Sequence, residues 1–212
     1  MDGIGAAQAN AERLIEDARL LLEAGRYPSA TALAILAMEE RGKVIILRRL
    51  ALSSDERALK EGWRDYRNHR AKNAGWIIPS LVADGARTMD ALAAAVDKDG
   101  EHAIILDSLK QVAVYTDCLG NRNWSAPSEV IDADLAKTML RTAEMMWGAR
   151  PVLLREIELW AEVVGPEFGR PGMHAAVIRY KAMLHAEGLT STHPTSLQAF
   201  MEGRPLEVRE GD

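Results

Sequence analysis

The feature that most constrains the fold is a long apolar segment that begins at Tyr27 and continues to about Leu52. Pro28 and Ser29 suit the first turn of a helix, and the residues that follow, Ala-Thr-Ala-Leu-Ala-Ile-Leu-Ala-Met, are nearly all small or apolar. A helix that is apolar on most of its faces is normally buried. The segment therefore predicts a central core helix that neighbouring helices approach closely.

Most of the remaining chain also has helical periodicity, and no stretch alternates as a half-buried strand does. Further helices are predicted at about 10–24, 55–72, 88–96, 101–118, 132–150, 152–164 and 174–186. Glycines and prolines after Val164 indicate a loop, and the polar tail from Gly188 is expected to be partly loose. We predict an all-α helical bundle with additional C-terminal helices, divided into a main domain at 1–165 and an accessory helix and tail at 166–212.

The composition excludes several classes of protein. Cys118 is the single cysteine, so no intrachain disulfide forms, and a lone cysteine fits a reducing compartment. There is no secretory signal and no run of the ~20 apolar residues that span a membrane. The histidines outside the motif described below are scattered, at positions 102, 174, 185 and 193. We therefore expect a cytoplasmic protein with no membrane segment, no metal and no cofactor.

Basic residues are concentrated in one part of this acidic chain. Residues 41–72 contain ten Lys and Arg and four acids, a local charge of +6, whereas the whole chain has a net charge of −5. Such a block is either a solvated helix surface or a binding surface for an anionic partner such as RNA.

The basic block contains Arg64-Asp65-Tyr66-Arg67-Asn68-His69. This string resembles the Arg-x4–6-His signature of HEPN ribonucleases. Upstream, Glu39 and Lys43 form a Glu-x3-Lys pair, which nuclease members of that superfamily also carry. We take Arg64, His69, Glu39 and Lys43 as the candidate catalytic residues.

The residue types suit RNA cleavage without a metal, in which the ribose 2′-hydroxyl is the nucleophile. A histidine exchanges protons near neutral pH, so His69 is the candidate general acid/base. An arginine presents a fork of donors to phosphate oxygens, so Arg64 is the candidate phosphate binder. Glu39 and Lys43 lie one helical turn apart and would position the other two, or Lys43 would contact phosphate.

Each motif also has an ordinary structural interpretation. An Arg-x4-His string arises by chance in helical proteins, and a Glu-x3-Lys pair is commonly a surface ion pair worth ~0.2–0.5 kcal/mol. A spacing of five residues does not place two side chains on the same helix face. Either the length of Arg64 covers the gap, or the helix is distorted between Arg64 and His69.

A wider resemblance is to AbiV-type abortive-infection proteins of the HEPN superfamily, over about residues 12–150. Residues 25–43 form a small-residue apolar helix that ends in Glu-Glu-Arg-Gly-Lys, and His69-Arg-Ala-Lys72 resembles the His-x-x-Lys of the family. The stretch at 109–117, followed by Trp124-x-x-Pro127, resembles its later block.

The resemblance implies a HEPN-like helical bundle, an antiphage role, RNA as partner and a homodimer whose Arg/His motifs face each other. A phage-encoded protein is a further possible partner, as trigger. In this interpretation the orienting or substrate-binding residues are Asp65, Asn68, Arg67, Arg70 and Lys72. Two alternatives remain: a non-catalytic module that binds a protein or RNA through the same basic face, and a plain helical scaffold.

Overall fold

The computed structural model describes residues 2–53, 55–87, 89–92, 95, 97–118, 122–146 and 152–201. The part of the chain that the structure describes is predominantly helical, and its strands form one two-stranded antiparallel ribbon. The prediction of an all-α fold is confirmed. Among the described residues, no helix combines the length and the apolar character that crossing a membrane requires.

The elements follow one another in a simple order. The first part of the chain contains α1 (Asp2–Glu23), α2 (Tyr27–Ala51), α3 (Glu56–Arg67), α4 (His69–Asn73), a 3-10 turn (Ala74–Ile77), α5 (Ile78–Ala83) and α6 (Met89–Leu92). The middle contains α7 (Glu101–Val114), β1 (Asp117–Cys118), β2 (Trp124–Ser125), α8 (Pro127–Val130) and α9 (Ala133–Met145). The last part contains α10 (Leu154–Leu159), a π turn (Trp160–Val164), a 3-10 turn (Gly165–Glu167), α11 (Met173–Ala186) and α12 (Pro194–Met201).

The chain divides into two compact units. The first is Met1–Pro79 with Ala94–Pro151, and the second is Ser80–Ala93 with Val152–Asp212. The predicted boundary between 165 and 166 remains a prediction. In the second unit, α10 packs in one core with α11.

The core of the first unit is built around α2. Over residues 30–38 this helix has no exposed surface at Ala30, Ala34, Ile35 and Met38. The side chains that pack with this stretch come from α1, α7, α9 and the residue that follows α9, and they include Leu14, Ala18, Leu106, Met139, Leu140, Ala143 and Met146. The prediction that this segment is the central core helix is confirmed.

Local capping signals set several helix ends. The Asp55 carboxylate accepts a hydrogen bond from the backbone N–H of Ala58 at 2.8 Å, and Asp132 does the same for Leu135 at 2.9 Å. Both are the arrangement that an N-cap aspartate makes. Gly25, with a φ of +70°, follows the end of α1 in the left-handed conformation that glycine adopts readily.

The second unit has its own apolar core. Leu159, Val164, Ala176, Tyr180 and Leu184 are buried there, and the ring of Trp160 packs edge-on against Tyr180 at 5.3 Å. Helix α12 lies within the tail from Gly188 that we expect to be partly loose. Residues 202–212 lie outside the described residues.

Three further expectations need correction or remain open. Helix α7 ends at Val114 instead of continuing to 118, because Asp117 and Cys118 pair with Ser125 and Trp124. Of the helix predicted at 88–96, the structure describes α6, and positions 88, 93, 94 and 96 lie outside the described residues. The helix break predicted at position 151 also lies outside them.

Candidate functional site

A buried carboxylate lies in the middle of α2. Glu39 follows directly after the apolar stretch of this helix and is only 2% exposed. Removing a carboxylate from water costs several kcal/mol unless cations and hydrogen-bond donors compensate for the lost hydration. The partners of Glu39 therefore decide what this position does.

Three cationic or polar side chains from two other helices surround Glu39. Lys110 Nζ, from α7, donates to Oε1 at 2.6 Å. On α4, His69 Nδ1 lies 2.6 Å from Oε2, and Lys72 Nζ lies 3.3 Å from the same oxygen. Lys110 also pairs with Asp107, one turn before it on α7, at 3.0 Å. The result is an ion network that joins α2, α4 and α7.

This network keeps Glu39 ionised. Burial by itself raises the pKa of Glu39, but the hydrogen bonds from Lys110 and His69 and the charges of Lys110 and Lys72 outweigh burial and lower the pKa below its ordinary value of 4.5. Burial likewise lowers the pKa of Lys110, but Glu39 and Asp107 raise it above 10.5. The carboxylate and the ammonium thus stabilise each other's charged form.

The ionised carboxylate also defines the state of the His69 ring. A carboxylate without a proton only accepts hydrogen bonds. Nδ1 must therefore carry the proton in the Glu39 contact, which leaves the lone pair of a neutral ring on Nε2. Nε2 has no hydrogen-bond partner among the described residues, and 56% of the side chain is exposed. His69 therefore presents a basic nitrogen on an accessible side chain.

A break in the helix places His69 at the first position of α4. Asn68 has extended backbone angles, with φ −92° and ψ 121°, and its Oδ1 accepts hydrogen bonds from the backbone of Arg70 at 2.9 Å and Ala71 at 3.4 Å. Asn68 is thus the N-cap of α4. The prediction of one continuous third helix is wrong, and of the two explanations for the Arg64–His69 spacing, the interrupted helix is correct.

Three arginines flank the break. Arg64 and Arg67 lie in the last turn of α3, and Arg70 lies in α4. All three are exposed, and their side chains make no hydrogen bond or ion pair within the part of the chain that the structure describes. They are therefore free to contact an anionic ligand. Earlier cations of α3 are already paired, Arg57 with Glu61 at 3.1 Å and Lys60 with Glu56 at 2.7 Å.

Lys43 does not contact Glu39, although the two residues lie one helical turn apart and an ion pair between them was the ordinary interpretation of the motif. Its ammonium lies 2.6 Å from Glu40 Oε1 and 5.5 Å from the centre of the Tyr66 ring. Glu39 turns into the core, whereas Glu40 remains partly exposed. The second glutamate of Glu-Glu-x-Gly-Lys is thus the partner of its lysine.

Asp65 connects α3 to its surroundings and contacts neither Arg64 nor His69. One carboxylate oxygen accepts a hydrogen bond from Arg49 of α2, and the other accepts one from Lys98 at 2.8 Å. Burial raises the pKa of Asp65, but these two cations outweigh burial and lower the pKa below 3.8. Its contribution to the site is to fix α3, which carries Arg64.

Gly42 explains how α4 comes close enough to α2 for His69 to reach Glu39. A Cβ atom at position 42 would lie 1.8 Å from the backbone oxygen of Lys72. No side chain fits there, so the glycine of Glu-Glu-x-Gly-Lys permits direct contact between the two backbones.

Sequence reasoning missed Lys110 as a member of this site. It lies 71 residues after Glu39, and an isolated lysine in an amphipathic helix has no distinctive pattern. The signals that the sequence offered were the Asp107-x-x-Lys110 pair and the place of Lys110 in the family-like stretch at 109–117. Of the predicted orienting residues, Lys72 does contact Glu39, with only 7% of its surface exposed.

Within the described ranges, no group of three or more His, Cys, Asp or Glu side chains is arranged to hold a metal ion. The donors around Glu39 are mainly lysines, which are protonated and repel a cation. The chemistry of this site is therefore that of a histidine, a carboxylate and nearby arginines.

The fold and this site define an all-α protein built around a buried carboxylate–histidine pair. The model of the HEPN_AbiV family, described as AbiV, matches residues 1–148, which include Glu39, His69, Lys72 and Lys110. The chain therefore belongs to the HEPN_AbiV family and is an abortive-infection HEPN-domain protein. Neither a curated protein nor a solved structure matches it.

Proposed function

We propose that this protein is a metal-independent endoribonuclease that acts in phage defence by cleaving RNA. The observation that carries the proposal is the contact between His69 Nδ1 and the buried, ionised Glu39 at 2.6 Å. This contact makes Nε2 the available base on an exposed side chain, as general base catalysis requires. The three unpaired arginines next to it supply positive charge for a phosphate group.

In the proposed reaction, Nε2 of His69 accepts the proton of a ribose 2′-hydroxyl, and the 2′-oxygen attacks the adjacent phosphorus. The bond from phosphorus to the 5′-oxygen breaks, and the imidazolium returns the proton to that oxygen. The products are a 2′,3′-cyclic phosphate and a 5′-hydroxyl. Arg64 binds the phosphate oxygens and stabilises the charge that develops on them.

The protein in this proposal acts as a homodimer. The family resemblance implies that two copies face their Arg/His motifs, and a single copy contributes one His69 and one Arg64 to the cleft. The surface around the helix break carries Arg64, Arg67 and Arg70, so an RNA strand between two copies would neutralise the repulsion between their arginines.

The test is incubation of the purified protein with mixed RNA in EDTA, followed by analysis of the product ends. We expect cleavage that persists in EDTA, with 2′,3′-cyclic phosphate ends, and no cleavage by His69→Ala. Robust cleavage by a folded His69→Ala variant would remove His69 from the mechanism. His193→Ala is the matched control, because His193 is also exposed and its ring contacts Thr195 and His185 instead of a buried carboxylate.

The second candidate is a non-catalytic module that binds RNA or a phage or translation-related protein. The same unpaired arginines favour it, since they form a binding surface whether or not His69 reacts. It predicts no cleavage by the wild type, even with phage components present. Phage protection would then survive His69→Ala and would be lost when Arg67 and Arg70 are replaced together.

A further inference from the structure

The two oxygens of Glu39 have different partners, and this division gives Lys110 a specific role. We infer that Lys110 is a positioning residue that acts through Glu39 to hold the His69 ring in the tautomer with its proton on Nδ1. The effect of this positioning role on RNA cleavage rests on the proposed function, whereas the tautomer of His69 is a property of the folded protein.

The argument begins with the geometry of the carboxylate. Lys110 Nζ donates to Oε1 at 2.6 Å, while His69 Nδ1 contacts Oε2 at 2.6 Å. The Glu39 side chain is 3% exposed and that of Lys110 is 9% exposed, so water does not replace either partner readily. No other side chain among the described residues donates to Oε1. Lys110 is therefore the group that satisfies this oxygen.

Lys72 does not duplicate this role. Its ammonium is at 3.3 Å, longer than the 2.6 Å of Lys110, and it lies next to Oε2, the oxygen that His69 already contacts. Asp107 pairs with Lys110 at 3.0 Å and does not itself donate to Glu39. Of the other charged groups near Glu39 on α2, Glu40 and Lys43 are paired with each other, and Arg41 donates to the backbone oxygen of Met146.

Loss of Lys110 would leave Oε1 buried without a donor and remove one of the two ammonium charges that offset the carboxylate. A buried carboxylate in this position takes up a proton more readily. A protonated Glu39 donates its O–H to Nδ1 instead of accepting N–H from it. The ring then carries its own proton on Nε2, and Nε2 is no longer a base.

The experiment is nitrogen-15 NMR of the histidine rings at a pH where His69 is neutral, in parallel with RNA cleavage. For wild type and Lys110→Arg we expect the proton on Nδ1. For Lys110→Met we expect a shift of the proton to Nε2 and a loss of cleavage by about 10²–10⁴-fold. Lys137→Met is the matched control, since Lys137 on α9 makes only an exposed pair with Asp134 at 3.6 Å.

The outcomes separate this inference from the proposed function. A wild-type ring with its proton on Nε2, or a folded Lys110→Met variant with the wild-type tautomer, overturns the inference whatever the cleavage result. If the wild type never cleaves RNA, the proposed function fails and the NMR result still decides the tautomer. If Lys110→Met does not fold, Lys110→Gln takes its place: it removes the charge but keeps an N–H donor, so a smaller shift of the proton toward Nε2 is expected.

Discussion

His69 Nδ1 and Glu39 Oε2 lie 2.6 Å apart, although thirty residues separate them in the chain. The contact requires a glycine at 42, a helix break at Asn68 and two lysines that keep the carboxylate charged. It connects the core of α2 to an exposed ring that is suited to proton transfer. Each of these requirements can be tested separately.

The first prediction concerns the two central residues of the proposed reaction. His69→Ala is expected to lower RNA cleavage by about 10²–10⁴-fold, and Arg64→Ala by about 10²–10³-fold, because a donor to the developing charge is lost. If the two residues act as a unit, the rate loss of the double variant should be much smaller than the product of the two single losses. Single-turnover rates in EDTA measure all three.

Arg57→Ala is the control for Arg64→Ala, because Arg57 lies on the same helix but pairs with Glu61. A loss of cleavage in Arg57→Ala as large as that in Arg64→Ala would mean that Arg64 has no special role. Circular dichroism confirms that each variant is folded.

The second prediction concerns the close approach of α4 to α2. Gly42→Ala would place a Cβ atom 1.8 Å from the backbone oxygen of Lys72. The gain in helix propensity is at most ~1 kcal/mol, whereas overpacking typically costs ~1–3 kcal/mol, and a backbone oxygen cannot turn aside as a side chain can. We expect a lower free energy of unfolding in urea and a weaker His69–Glu39 contact.

Gly5→Ala is the matched control for this substitution. It lies in helix α1 with open space around its Cβ position, so the same change should be neutral or stabilising by up to ~1 kcal/mol. If Gly42→Ala is as stable as Gly5→Ala, the backbones of α2 and α4 are not in direct contact at Gly42 and Lys72.

The third prediction concerns acid stability. The pKa values of Glu39 and Asp65 are lowered in the folded protein relative to ordinary values of 4.5 and 3.8. Each group therefore stabilises the fold above its ordinary pKa, and this stabilisation is lost as the pH falls through the folded pKa. The free energy of unfolding should decrease as the pH falls below about 5.

Asp65→Asn should be less stable than wild type at neutral pH and should lose less stability on acidification. Urea unfolding at a series of pH values gives both quantities. Identical pH slopes for wild type and Asp65→Asn would contradict the pairing of Asp65 with Arg49 and Lys98. Asp134→Asn serves as the control, since the Asp134 side chain is 92% exposed.

The fourth prediction concerns RNA binding by the arginines beside the helix break. Each contact that neutralises a phosphate of single-stranded RNA contributes a slope of about −0.7 to the dependence of log affinity on log salt. Arg67→Ala should weaken binding and reduce this slope by up to that amount. Binding is measured with His69→Ala as the background, so that the RNA remains intact. An unchanged slope would place Arg67 outside the RNA-binding surface.

The fifth prediction is the homodimer. Light scattering at micromolar concentration should give a mass near twice the 23.3 kDa of one chain. Detection of monomer alone at this concentration would argue strongly against a cleft shared by two copies.

Much of the first unit follows from the sequence alone. The apolar run after Tyr27 predicted the buried α2. The helices predicted from 55 and from 132 do start at Asp55 and Asp132, because a capping side chain acts on backbone groups only three residues away. Glu39 and His69 were candidates because their residue types and spacing resembled a known motif. These signals act over a few residues, so they can be read without a structure.

Only the tertiary structure decided how those residues are connected. It paired Glu39 with Lys110 rather than Lys43, and Lys43 with Glu40. The burial of Glu39 depends on how α4 and α7 pack on α2, and the energetic need of a buried carboxylate for cations then selects its partners. That selection sets the protonation of His69, and no pattern within one helix encodes it, because the decisive lysine lies 71 residues away.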